Sequence, residues 1–257
     1  MRRALPVLVA VLAVAGCGGG GSSTTTVVTT VPPTTTATTT TPTGSTVALR
    51  VYFLGPARKV QPVPRTVPAT PAVGRAAIEQ LLAGPTADEQ LATSVPADTK
   101  LVSLTIQDGV GSVRLSRELP RAAQAQLVYT LTQFPTVRSV SIDGGGKVTR
   151  SDYEDETPQI LVETPLRDTT VTSPIRVAGT ANTFEATFEA DILDASGTAV
   201  ATKVVTATSG SGERGTYDAK IPVDAPPGTI TLVVFEPSAK DGSPLHRVEI
   251  PLTLGSG

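Results

Sequence analysis

A change of hydrophobic period part-way along the chain limits the possible folds more than any other feature. Before about residue 150, stretches with apolar residues three and four apart are interspersed with stretches that alternate every second residue; beyond about residue 158 only the second pattern remains. Helices and strands mixed in one region, followed by strands alone in the next, predict two domains of different class. The expected architecture is a two-layer α+β domain over residues 47–150, an acidic linker over 151–157 and an all-β sandwich over 158–257. A signal peptide (1–16) and a disordered tether (17–46) precede them.

The leader is read from Cys17, the single cysteine. Arg2 and Arg3 give a positive start, Ala4 to Ala15 form an apolar segment, and Ala15-Gly16 suits a peptidase cutting before Cys17. The apolar segment is shorter than the roughly 20 residues a spanning helix needs. This is a bacterial lipoprotein signal, with Cys17 the expected lipidation site and the membrane the first expected partner. From Thr24 to Thr46 the chain is nearly all Thr, Val and Pro without charge, which predicts a tether with a coil span of roughly 30 Å. It places the folded part on the extracytoplasmic face of the cell membrane.

Within residues 47–150, Val47 to Leu54 reads as a strand and the proline-rich stretch Gly55 to Thr70 as irregular loop. Thr70 is the expected N-cap of a helix burying Val73, Ala77, Ile78, Leu81 and Leu82, stopped by Gly84-Pro85. Thr99 to Ser116 carries a hairpin signal around Asp108-Gly109. Counting from Gln107 opposite Val110 puts Ile106 opposite Gly111, Leu104 opposite Val113 and Val102 opposite Leu115, all on one buried face. Pro120 opens a second helix with the stripe Ala123, Leu127, Val128, Leu131 and Phe134, and Thr136 to Asp143 closes the domain as a strand.

Seven short strands follow from Gln159 to Leu254. In the third, Phe184, Ala186, Phe188, Ala190 and Ile192 alternate against Glu185, Thr187, Glu189 and Asp191, one side core and the other wet. The acidic run Asp152 to Glu156 reads as a solvated linker, since consecutive side chains of an extended segment point apart and no calcium-loop spacing is present.

The set LRVYFLG from Leu49, RAAIEQLLAGP from Arg75, VRLSRE from Val113 and LVYTLTQFP from Leu127 resembles the GerMN domain of sporulation and spore germination proteins. Ser173 to Ala181 (SPIRVAGTA) with Thr183 to Ala186 resembles the immunoglobulin-like domain of bacterial spore germination. The resemblance implies a non-enzymatic role in envelope assemblies and supplies no catalytic residues.

The residues agree with that implication. His246 is the only histidine and lies in an expected strand, no nucleophile elbow or paired cysteines occur, and neither metal nor cofactor is expected. The formal charge of -2, or -4 once Arg2 and Arg3 leave with the signal, argues against a nucleic-acid partner. Two readings follow: a membrane-anchored interaction or scaffold module docking on another envelope protein, or a lipoprotein holding a cell-wall glycan or peptide. A deep pocket with convergent polar groups would favour the second, and an unpaired strand edge or exposed apolar patch the first.

Overall fold

A computed structural model describes residues 44–55 and 57–256. Cys17 and the expected tether up to residue 43 lie outside the described residues, and the last tether position, Thr46, instead opens the first strand.

The first domain starts with a hairpin of β1 (Thr46–Leu54) and β2 (Val60–Pro68), paired antiparallel with Tyr52 opposite Pro62. β2 occupies the stretch expected to be irregular loop. The correction has a simple cause: Pro62, Pro64 and Pro68 share one parity. The donors that pair with β1 come from the other parity, as in the bond from Ala69 N–H to the Ser45 carbonyl. Each proline therefore turns its donor-less nitrogen away from β1, which an edge strand tolerates.

Helix α1 (Val73–Ala83) buries Gly74, Ala77, Ile78 and Leu81. It starts later than the Thr70 cap predicts. Ala72 occupies the cap position without a side-chain bond, and the Thr70 hydroxyl accepts from Ala72 N–H in the turn before it. Strands β3 (Leu101–Gln107) and β4 (Val110–Leu115) form the expected hairpin, with Asp108 and Gly109 both at positive φ. Gln107, Ile106 and Leu104 face Val110, Gly111 and Val113 as counted. Beyond Ser103 a register shift puts Leu101, not Val102, opposite Leu115. The expected buried face is only partly formed: Val113 is buried and Leu104 half-buried, while Val102 at the shift and Ile106 near the turn of this terminal strand are 61% and 41% exposed.

Helix α2 (Arg121–Leu131) leads to β5 (Ser139–Ile142), which runs parallel to β4, and to β6 (Lys147–Val148), giving a sheet of order β3-β4-β5-β6. Rather than burying one stripe, α2 is enclosed along most of its length, Gln126 and Thr130 included. Its core is shared with β1, β2, α1 and the sheet.

The second domain is a sandwich. One sheet holds β7 (Ile160–Thr164), β9 (Ile175–Ala181) and β12 (Gly215–Ile221) in the order β12-β9-β7. The other holds β8 (Thr169–Val171), β10 (Thr187–Leu193), β11 (Ala199–Thr206), β13 (Gly228–Pro237) and β14 (Pro244–Leu254) in the order β11-β10-β13-β14-β8. Phe188, Ala190 and Ile192 enter the core as alternation requires, with Phe188 edge-on to Tyr217 at 4.8 Å between centroids. Phe184 does not. Glu185 and Ala186 take φ of 53° and 59° in a 3₁₀ turn, which breaks the alternation and leaves Phe184 61% exposed.

Between the domains, Arg150–Glu156 forms 3₁₀ turns rather than the solvated linker expected. Turning the backbone points consecutive acids to different partners. Glu154 pairs with Arg214 at 2.8 Å, Asp155 pairs with Arg121, and Tyr153 is buried with its hydroxyl donating to Gln124. The seam it completes centres on Arg150. That guanidinium lies 4.6 Å from the Tyr129 ring centroid and 5.7 Å from that of Tyr52, and bonds Glu163 of β7 at 2.9 Å. The Tyr52 hydroxyl donates to the same Glu163 carboxylate. Burial, and then the negative charge of Glu163, push the Tyr52 phenol far above its ordinary range, so it stays a donor. The described residues belong to one compact unit.

Candidate docking site

Unpaired strand edges are the places where a β-rich protein can accept another chain, and each edge here is handled differently. The inner edge of β1 is closed by side chains. Thr130 Oγ1 accepts from Tyr52 N–H at 3.1 Å and Gln133 Oε1 from Arg50 N–H at 2.8 Å. Gln126 Nε2 donates to the Tyr52 carbonyl at 3.1 Å, while its Oε1 accepts from Ser94 N–H at 2.9 Å. Gln126 and Thr130, four apart on α2, and Gln133 in the turn just after the helix thus replace a neighbouring strand. Sequence reading missed them because it treated α2 as one apolar stripe; Gln and Thr at that spacing inside the stripe were the available signal.

The outer edge of β2 carries the three prolines, and β6 is two residues long and begins with Lys147. At the outer edges of the sandwich, β11 carries Lys203, and β12 carries Asp218, which pairs with Arg176 at 2.8 Å. β3 has none of these protections. Its sequence LVSLTIQ holds neither charge nor proline, and it is the terminal strand of its sheet. The tight turn makes Gln107 and Val110 a hydrogen-bonded pair, so Ser103, Thr105 and Gln107 bond β4 and the backbone groups of Leu104 and Ile106 point outward, up to the register shift beyond Ser103. Val102 and Ile106 flank this edge as exposed apolar side chains. Helix α1 supports it from below: a Cβ on Gly74 would come within 3.2 Å of Ile106 Cδ1 and 3.3 Å of Leu104 Cδ2.

No catalytic arrangement accompanies the edge. His246 is exposed, and its Nε2 is 3.9 Å from a carboxylate oxygen of Glu236. On β10, Glu189 and Asp191 share a face. Burial, and then the Asp191 charge, raise the Glu189 carboxyl above its usual range, while Asp191 accepts a bond from Thr202 at 2.7 Å. The Glu185 of the expected alternation is carried away by the 3₁₀ turn. Among the described residues no group of three or more His, Cys, Asp or Glu is placed to hold a metal ion, and no helix is long and apolar enough to cross a membrane.

Residues 50–150 match the family model described as sporulation and spore germination, and residues 159–243 match that of the immunoglobulin-like domain of bacterial spore germination. The chain is a tandem of these two domains. Comparison with curated proteins gives no match. Among solved structures, the tandem GerMN domains of the sporulation protein GerM from Bacillus subtilis are 28% identical with a TM-score of 0.37, over 41% of this chain and 45% of that one. The first GerMN domain of that protein is 22% identical with a TM-score of 0.34, over 40% and 86% of the two chains. A Clostridium perfringens protein described as a lipoprotein is 23% identical with a TM-score of 0.29, over 42% and 90%. This chain thus spans less than half of the tandem GerM structure. The open edge of β3 lies in the GerMN domain, and the seam joins that domain to the immunoglobulin-like one.

Proposed function

We propose that this tandem is a non-enzymatic interaction module of the cell envelope, anchored by a lipidated Cys17 at the extracytoplasmic face of the membrane, and that it docks on another envelope protein through the outer edge of β3. The observation that carries the reading is the contrast among edges: β3 alone among the edges described above offers a full-length strand with no proline, no charge and no covering side chains. A partner strand added there would gain main-chain hydrogen bonds, with Val102 and Ile106 supplying apolar contact. The anchor and tether would confine the search to the membrane-proximal zone, where weak docking is favoured by effective concentration. A glycan ligand is less well supported, because sugar sites draw on aromatic platforms and the hollow at the seam has no aromatic residue in its lining.

Site-specific photocrosslinking in membranes tests the docking. A crosslinker at Ile106 should trap a partner protein, one at Thr66 on the proline-protected β2 should not, and Leu104→Pro, which removes an outward N–H, should abolish the adduct. Equal trapping from both positions would contradict the proposal. The anchor is tested separately by Cys17→Ser, which should release the protein from the membrane or leave it unprocessed; a cleaved mature form in the membrane pellet would contradict it.

A further inference from the structure

The seam between the domains also holds a hollow of about 440 Å³, in the range of small-ligand sites. Its floor is apolar and contributed by both domains, with Val60 from one side and Ile160, Val162 and Ile250 from the other. Its lining includes the consecutive residues Ile160, Leu161 and Val162 of β7 and Arg247 to Ile250 of β14. Successive residues of a strand point to opposite faces, so an unbroken run borders a cavity only along the strand's edge.

The edge of β14 is open there. Asp168 N–H donates to the Pro251 carbonyl and Gly255 N–H to the Val171 carbonyl, both at 2.8 Å, so the odd-numbered residues of β14 turn their backbone groups toward the β8 side. β8 reaches only Leu252 to Leu254. The backbone groups of Arg247 and Glu249 therefore face the hollow with no strand beside them. At its mouth, Arg247 is paired with Glu249 at 2.8 Å, Arg167 with Asp168 at 3.0 Å, and Glu89 with Arg65. Of the three cations lining the hollow, Lys59, Arg167 and Arg247, Lys59 alone makes no ion pair among the described residues; its ammonium donates to the Asp155 backbone carbonyl. Past Lys59 and Arg247 the depression continues into a second, more polar hollow of about 770 Å³.

We infer that this seam groove binds an extended acidic-apolar peptide segment, its main chain paired with the free edge of β14 at Arg247 and Glu249. An apolar side chain fills the hollow over Val60 and Ile160, and a carboxylate pairs with Lys59. Each part of the ligand answers one feature of the groove: backbone for backbone, apolar group for apolar floor, anion for the Lys59 ammonium, which makes no ion pair among the described residues. The inference stands apart from the β3 reading, because it uses other strands and a cleft that both domains build.

The test uses the full chain and a labelled peptide, acetyl-Thr-Val-Thr-Val-Asp-Thr-amide, with anisotropy and amide hydrogen exchange as readouts. Binding should slow exchange at Arg247 and Glu249. Lys59→Glu should weaken it by about tenfold or more and favour a peptide carrying Lys in place of Asp. Glu249→Pro removes the outward N–H at a parity where Pro251 is already tolerated, and should also weaken binding by about tenfold, whereas Glu249→Gln keeps the N–H and frees Arg247 from its carboxylate, and should bind the acidic peptide at least as tightly as the natural chain. No binding up to about 1 mM, unchanged affinity in Lys59→Glu and Glu249→Pro, or protection at Leu104 and Ile106 instead of β14 would each overturn the inference.

Discussion

The seam around Tyr52 and the outer edge of β3 invert the simple rule that polar groups face water and apolar groups do not. At the seam, polar and charged groups are buried or half-buried, yet the backbone of Tyr52, its hydroxyl, Arg150, Glu163 and Gln126 all have partners. At β3, apolar side chains are exposed and the outward backbone has no partner among the described residues. The difference teaches that the presence of a partner, not polarity, separates structural from available surface: buried polar groups are stable only when satisfied, and an unsatisfied strand edge is a place for another chain.

The largest way to break this contrast is to remove Arg150. Arg150→Ala leaves the Glu163 carboxylate, which is 15% exposed, without its cation and should cost about 3 kcal/mol or more, read by denaturant unfolding. Glu163→Gln, which keeps an acceptor for Tyr52, should cost less. A loss under about 1 kcal/mol for Arg150→Ala would mean the seam is held by apolar packing alone. Next comes Gln126→Leu, which strips a partner from the Tyr52 carbonyl and from Ser94 N–H; about 1 to 3 kcal/mol is expected for such orphaned groups. Loss of stability with no change in crosslinking at Ile106 would keep the two regions separate, as the contrast requires.

A smaller effect should follow pH. Burial alone would raise the Glu154 carboxyl, but hydrogen bonds from Arg214 and Asn182 outweigh it and hold the group below the usual glutamate range. A depressed folded-state value means this contribution is complete above about pH 4.3 and is lost as pH falls through the lowered value. The stability gap between the natural chain and Glu154→Gln should therefore close on acidification, and a gap that stays constant would assign the seam another source of strength. Smallest of all, Val102→Lys should change stability by no more than about 0.5 kcal/mol while removing partner capture. A large stability loss would show that Val102 packs within the domain.

The sequence revealed elements well where local rules suffice. The Asp108-Gly109 turn set the hairpin register as far as Ser103 and Arg114, and β-branched alternation located Phe188, Ala190 and Ile192 in the core. It failed where a long-range or backbone effect intervened. The bulge at Val102 and the 3₁₀ turn that everts Phe184 each shift a period-two pattern by local backbone geometry. Proline density concealed β2, because the parity of Pro62, Pro64 and Pro68 matters only once their neighbour is known. Of the docking site, the strand itself was legible, but its openness was not, since that depends on where the other strands end. The Arg150–Glu163 pair joins two domains and had no sequence signal.

Amide hydrogen exchange on the full chain, comparing the inner edge of β1 with the outer edge of β3, tests the central claim most directly. If the edges differ as described, the amides of Arg50 and Tyr52, held by Gln133 and Thr130, should exchange only on global opening, while those of Leu104 and Ile106 should exchange orders of magnitude faster in the uncomplexed protein. Equal protection at the two edges would contradict the account, because β3 would then already have a partner and could not be the place where another protein docks.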